Sequence, residues 1–300
     1  MTALRLGTRR SALAWAQAGQ VADALRAAGF DVEMVPVVTE GDTATAPMTS
    51  LGGTGVFATA LREKLRSREI DIAVHSYKDL PTRGGAEGLV IAAVPPRADP
   101  RDVLCAGGGR TLAELPDAAR IGTGSPRRAA QLAALGRGFV PVPIRGNVDT
   151  RLGKIGDGLD AVVLAAAGLD RLGRTDAITE YIAPALVMPA PAQGALAIEC
   201  RHGTELADAL QRAADHPPSR ARVDAERALL ARLEAGCLAP VGALATATGD
   251  SLHLDAVVVA GDGSRLLRRA DRAPFAQAAD LGTRVADALL TAGAADLLAG

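Results

Sequence analysis

Short apolar runs of strand-like composition alternate with amphipathic helical stretches from the N-terminus to about Cys200, and that alternation leaves few folds open. Strands joined by helices pair in parallel and need helices to cover the sheet. The strand candidates are Ala3 to Gly7, Val32 to Val38, Ile70 to His75, Leu89 to Val94, Arg120 to Gly122, Phe139 to Ile144, Ala161 to Leu164 and Ala195 to Cys200. Between them Ser11 to Ala28 reads as a helix, with Ser11 as N-cap and Gly29 as stop. Val56 to Arg68, Pro126 to Leu135 and Val148 to Ile155 read the same way.

Two rigid crossings interrupt this pattern, Pro95-Pro96-Arg97-Ala98-Asp99-Pro100 and Met188-Pro189-Ala190-Pro191. They predict an inserted domain: a first lobe over residues 1–95 and 196–214, and a second lobe over residues 100–190. After His216-Pro217-Pro218 a long helix, Arg220 to Glu234, leads into strands near Val241 to Thr248, Ser251 to Val259 and Arg265 to Ala270, then a terminal helix from Pro274. Residues 218–300 are therefore expected to form a small α+β domain, and the chain as a whole is expected to be α/β with mainly parallel sheets.

The longest apolar stretch, Ala161 to Leu169, is far short of the roughly 20 residues of a membrane helix, and the N-terminus lacks a targeting pattern, so no membrane association is expected. Formal net charge is −1, so no global field attracts nucleic acid, and 2% aromatic residues leave little on which unpaired bases could stack. Only Lys64, Lys78 and Lys154 are lysines, so 30 of the 33 basic residues are arginine, whose planar fork suits carboxylates. Cys105, Cys200 and Cys237 are widely spaced, which argues against a disulfide framework and fits a reducing cytoplasm. The four histidines show no metal-ligand spacing, and no metal is expected.

One internal echo is informative. Arg5-Leu6-Gly7-Thr8-Arg9-Arg10-Ser11 opens one helix, and Arg120-Ile121-Gly122-Thr123-Gly124-Ser125-Pro126-Arg127-Arg128 opens another. Free backbone N–H groups at a helix start, hydroxyls and guanidinium groups together make an anion site. An ordinary capped turn with solvated arginines is the plain alternative for either copy, but two copies facing each other across a hinged cleft point to an anionic ligand between the lobes. In Val74-His75-Ser76-Tyr77-Lys78-Asp79 an apolar strand runs into a polar turn, making Asp79 the best acid/base candidate; the alternative is Asp79 as an N-cap beside a surface Lys78. Arg145-Gly146-Asn147 and Arg151 would add to Arg127 and Arg128, with Asp149 able to neutralise a neighbour. The glycine-rich Leu51 to Phe57 segment is expected to be a flap with Phe57 over the cleft. Cys237, on a Gly- and Pro-flanked loop, is either a small buried hydrophobe or a covalent attachment point.

Together these clusters resemble the porphobilinogen deaminase (hydroxymethylbilane synthase) family. The resemblance rests on Gly7-Thr8-Arg9, Ala73 to Ser76 with Lys78-Asp79-Leu80-Pro81, Gly122 to Arg128, Arg145-Gly146-Asn147, Thr150-Arg151-Leu152, Gln193-Gly194-Ala195, Ile198 to Arg201 and Gly236-Cys237, in order. It implies two lobes like type II periplasmic binding proteins plus a third domain. It also implies a cytoplasmic transferase, monomeric, that joins four porphobilinogen molecules head to tail with release of ammonia, then frees hydroxymethylbilane for a uroporphyrinogen-III synthase. A dipyrromethane cofactor would be held as a thioether on Cys237 and contacted by Asp79, Lys78, Thr123, Ser125, Arg127, Arg128, Arg145 and Gly146. Arg9, Ser11, Phe57, Arg145, Arg151 and Gln193 would bind substrate, and Asp79, with Lys78, would be catalytic, stabilising an azafulvenium cation and moving protons. Two departures stand out: Thr54 where many members have lysine, and Gly124 where serine is frequent. A two-lobe solute-binding or effector-sensing protein is the competing reading, and it would need neither Cys237 nor an acid at Asp79.

Overall fold

A computed structural model describes residues 3–38, 55–82, 86–236 and 239–299. Packing divides the chain into two units, Met1–Ala98 with Ala195–Arg220, and Asp99–Gly194 with Ala221–Gly300. The chain begins with β1 (Leu4–Arg9), α1 (Ala12–Ala27), β2 (Val32–Val37), α2 (Gly55–Arg66), β3 (Ile72–Ser76) and β4 (Leu89–Ala93). It then builds β5 (Asp102–Ala106), β6 (Arg120–Thr123), α3 (Pro126–Ala134), β7 (Val140–Pro143), α4 (Val148–Leu152), β8 (Ala161–Ala165), α5 (Ala166–Arg171) and β9 (Glu180–Tyr181). With β10 (Leu196–Arg201) and α6 (Glu205–Ala214) it returns to the first unit. The helix α7 (Pro217–Arg232) leads to β11 (Val241–Thr248), β12 (Ser251–Val259), β13 (Leu266–Pro274), α8 (Ala278–Thr291) and α9 (Ala294–Ala299).

The first sheet has the order β2-β1-β3-β10-β4 and the second β7-β6-β8-β5-β9. In the first, β1 pairs in parallel with β2 and β3, whereas β10 runs antiparallel to both β3 and β4. In the second, β6 pairs in parallel with β7 and β8, whereas β5 runs antiparallel to β8 and β9. Four of five strands thus share one direction in each sheet. The single reversed strand is the one the chain lays down just after crossing between units. The expected fold class, two mainly parallel α/β sheets and a C-terminal α+β region, is the one observed.

Both faces of each five-stranded sheet are covered. In the first, Leu6, Ile72 and Ile198 pack on α1 through Val21 and Leu25, while Ala73 packs on the other face with Leu61 and Leu65 of α2. In the second, Leu104, Ile121 and Val163 lie with Leu132 of α3, opposite Val103, Val162 and Leu164 with Leu169 of α5. Strands buried on both sides need continuous apolar runs, and Ala161-Val162-Val163-Leu164 is such a run. The C-terminal sheet, β11-β12-β13, buries one face under α7 and α8 through Ala225, Leu229, Leu281 and Val285.

Boundaries shift by up to four residues from the sequence expectation, the terminal helix expected from Pro274 is two helices, α8 and α9, and β5, β9, α5 and α6 escaped it. The first of these, Asp102-Val103-Leu104-Cys105-Ala106, has only a short apolar run behind an aspartate, and what buries that charge lies elsewhere in the chain.

Candidate active site

In the first unit the polar ends of β1 and β3 are fixed by local bonding. Thr8, fully buried, donates to the Ala14 carbonyl at 3.0 Å, and Ser11 caps α1 by accepting from the Ala14 N–H at 3.3 Å. Arg9 is half-buried and Ser11 exposed. Gln17 donates to Ser76 Oγ at 2.9 Å, linking α1 to the end of β3. There the chain turns through a single 3₁₀ turn, Tyr77–Asp79, whose first N–H donates to Ala195 O at 3.0 Å. Tyr77 and Leu80 are buried, so the two residues between them, Lys78 and Asp79, are turned toward the half-buried side. Asp79 is the third residue of that turn rather than a helix cap. Its carboxylate has no hydrogen bond or ion pair among the described residues.

Beneath the turn lies a charged group that the sequence did not single out. Glu199 of β10 is fully buried and takes Arg62 of α2 through Nε at 3.0 Å and Nη2 at 2.9 Å, with His75 Nε2 3.1 Å away. Burial, the largest influence on Glu199, opposes its charge; the bonds and charges of His75 and Arg62 outweigh it and hold the carboxyl below its ordinary range.

In the second unit Ser125 caps α3, with Pro126 in the first helical position. Arg127 and Arg128 follow, and they turn inward, at 4% and 6% exposure, onto the fully buried Asp102. Arg127 Nη1 lies 2.8 Å from Asp102 Oδ2, and Arg128 reaches Oδ1 through Nε at 3.0 Å and Nη2 at 2.8 Å. The remaining Arg128 Nη1 donates to Val163 O at 3.1 Å. Gln193, 1% exposed, spends its amide on Pro100 O and Asp102 Oδ1, both at 2.8 Å. Burial alone would raise the Asp102 pKa, but Arg127 and Arg128 hold it far below the ordinary carboxylate range. Of the four arginines expected to act together, Arg127 and Arg128 are thus enclosed around a carboxylate.

Arg145 is exposed, and Arg151, half-buried, donates through Nε to Gly146 O at 2.8 Å. Burial, then the neighbouring charge of Arg128, pulls the Arg151 pKa down. Asn147 caps α4 by accepting from the Thr150 N–H at 2.8 Å, and Gly146 stands at φ +105 with Thr150 where a Cβ would be. Asp149 pairs with Arg174. Thr123, buried, accepts from the Ser125 N–H at 3.2 Å. A Cβ on Gly124 would lie 2.8 Å from Ile144 O, so a serine there requires a backbone shift. Arg171, absent from the sequence reading, donates to Gly194 O at 2.9 Å. Cys105 and Cys200 are both fully buried; burial pushes the Cys105 thiol up to about 11 and raises Cys200 as well. Cys237, Thr54 and the glycine-rich loop up to Thr54 lie outside the described residues, as does the side chain of Phe57.

These features define a class: an α/β scaffold of two mixed sheets, followed by an antiparallel α+β sheet, with charged side chains gathered at strand ends and helix starts. The family model described as porphobilinogen deaminase, dipyromethane cofactor binding domain, matches residues 4–209, and the one described as porphobilinogen deaminase, C-terminal domain, matches residues 220–291. The chain is 52% identical to porphobilinogen deaminase of Cutibacterium acnes, over 99% of this chain and 97% of that protein. It is 50% identical to that of Mycobacterium tuberculosis, over 99% of both. Among solved structures it is similar to the methionine-binding protein MetQ, with 14% identity and a TM-score of 0.40 over 70% of this chain and 89% of that one. The chain belongs to the porphobilinogen deaminases, enzymes of tetrapyrrole biosynthesis that act on porphobilinogen, and it has their dipyrromethane cofactor-binding domain.

The residues present fit such a group. Asp102 balances only one of two buried guanidinium charges, and Arg127 Nε is buried without a hydrogen-bond partner among the described residues. An environment left net positive suits a ligand with several carboxylates.

Proposed function

We propose that the deaminase reaction in this chain is carried by Asp79, on a chain tethered through Cys237 and held by arginines. Porphobilinogen bears an acetate and a propionate, so each added unit brings two negative charges. Arg127, Arg128, Arg145 and Arg151, with the hydroxyls of Thr123 and Ser125 and the Gly146 backbone, are assigned to cofactor and substrate carboxylates; Arg9 and Ser11 are assigned to substrate. The observation that carries this assignment is the excess positive charge enclosed around Asp102.

Each cycle breaks the aminomethyl C–N bond, releases ammonia, forms a C–C bond and frees one pyrrole α-proton. Asp79 stands in a turn that leaves its half-buried carboxylate with no partner among the described residues, which suits a group that balances the azafulvenium cation of the substrate and accepts the α-proton. The dipyrromethane, when bound, supplies a covalent anchor and the pyrrole carbon to which units are added. Cys237 is assigned as the attachment point because Cys105 and Cys200 are enclosed in apolar strands.

The reading extends to a cytoplasmic monomer that passes its unstable linear product to a uroporphyrinogen-III synthase. Free thiols at Cys105 and Cys200 fit a reducing compartment. Among the described residues no helix is long and apolar enough to cross a membrane. Intact mass of the denatured protein tests the core of the proposal. The wild-type chain should carry the added mass of a dipyrromethane and release ammonia from porphobilinogen, whereas Cys237→Ser should have neither property. A Cys237→Ser chain with the full added mass would place the tether elsewhere.

A further inference from the structure

Side chains from three separate segments meet under the first turn of α3. Asp102 opens β5, Arg127 and Arg128 are the second and third residues of α3, and Gln193 lies in the turn before β10. Three donors converge on Asp102 Oδ1, namely Arg128 Nε, Arg128 Nη2 and Gln193 Nε2, while Oδ2 faces Arg127 Nη1. The second anchors are backbone carbonyls: Met188 O for Arg127, Val163 O for Arg128 and Pro100 O for Gln193. Gln193 is itself braced, because Ala192 stands at φ +62 with its N–H on Glu226 Oε2 at 2.6 Å, and Glu226 Oε1 takes the Ala245 N–H at 2.8 Å.

A solvated arginine samples many rotamers and loses them on binding, which costs affinity. Here that freedom is removed in advance, and one carboxylate between two guanidinium groups leaves a positive charge for a ligand. We propose that Asp102, supported by Gln193, is the positioning residue of this site: it sets both guanidinium planes in the orientation in which they take a carboxylate of the primer or substrate. This rests on the assignment of Arg127 and Arg128 to those carboxylates. It also recasts Gln193, which acts through Asp102 rather than on the ligand.

The test uses the full-length enzyme and reads primer occupancy by intact mass, KM and kcat for porphobilinogen by ammonia release, and the melting midpoint. Asp102→Asn should fall at least about tenfold in primer occupancy. Asp102→Asn leaves two guanidinium groups buried without a counter-charge; if it does not fold, Gln193→Met, which keeps charge and approximate volume, decides the matter. Gln193→Met should melt close to wild type yet show KM raised about five- to tenfold, or primer assembly slowed equally, with kcat nearly unchanged. Full primer occupancy and wild-type KM in Gln193→Met, or in a folded Asp102→Asn, would overturn the proposal. So would early melting combined with full occupancy and wild-type KM, since the cluster would then be structural only. A wild-type chain without added mass or ammonia release would instead refute the assigned activity itself.

Discussion

Replacing Glu199 by glutamine removes one charge from the most enclosed ion cluster of the first unit. Glu199 is fully buried, Arg62 is 5% exposed and His75 8% exposed, so water cannot take over the lost interactions. Arg62 binds both oxygens through Nε, at 3.0 and 3.1 Å, and a glutamine amide can accept on one side only, turning an N–H toward Arg62 or His75 on the other. Removing one member of a buried ion pair costs about 3–5 kcal/mol. At roughly 2–4 °C per kcal/mol for a chain of this size, the melting transition of the first unit should fall by about 6–20 °C. The pH dependence should change as well. The Glu199 carboxyl lies below its ordinary value in the folded chain, so its contribution is complete above the unfolded carboxylate range and is lost as pH falls through the folded value. Wild type should therefore lose stability on acidification more steeply than Glu199→Gln. Thermal unfolding by circular dichroism from neutral pH down to about pH 4 measures both effects. A Glu199→Gln chain melting within about 2 °C of wild type, with the same acid slope, would refute the reasoning.

Two other outcomes are expected. Asp79→Asn keeps shape but not charge, and ammonia release should drop by at least about a hundredfold with the circular dichroism spectrum unchanged, while Asp79→Glu should retain slow turnover; a rate within a fewfold of wild type for Asp79→Asn removes it from the mechanism. Gly146→Ala places a Cβ within 2.6 Å of Thr150 at a φ of +105, so the loop carrying Arg145 and Arg151 must shift, and KM for porphobilinogen should rise more than the melting point falls; unchanged KM would separate this loop from substrate binding.

Periodicity located most strands and helices because each is written in its own residues. The arginine cluster was legible only in part. Gly7-Thr8 and Gly122-Thr123 end strands in the same way, and the two copies read as one device. Their arginines differ in position: Arg9 and Arg10 precede the cap Ser11, whereas Arg127 and Arg128 follow the cap Ser125 and so belong to the helix face turned inward. That inward turn depends on Asp102, 25 residues upstream of Arg127 on a strand whose apolar run is too short to stand out, and on Gln193, 91 residues downstream of Asp102. No local pattern carries such a pairing. Asp79 was legible because an apolar strand ending in a charged turn is local, and the burial of Tyr77 and Leu80 leaves it on the less buried side of that turn.

The reversed strands also set a timetable for synthesis. In the first sheet β10 lies between β3 and β4, so until Leu196–Arg201 has left the ribosome a strand-wide gap separates two finished strands. At about 5–20 residues per second, β4 waits roughly 5–20 s for β10, its neighbour among the described strands. The second sheet has no such gap, since its five strands occur between Asp102 and Tyr181 without interruption by another sheet. The interior of the chain can thus reach its native pairing while the N-terminal sheet is still incomplete, and a nascent-chain binder that shields β3 and β4 has its window in that interval.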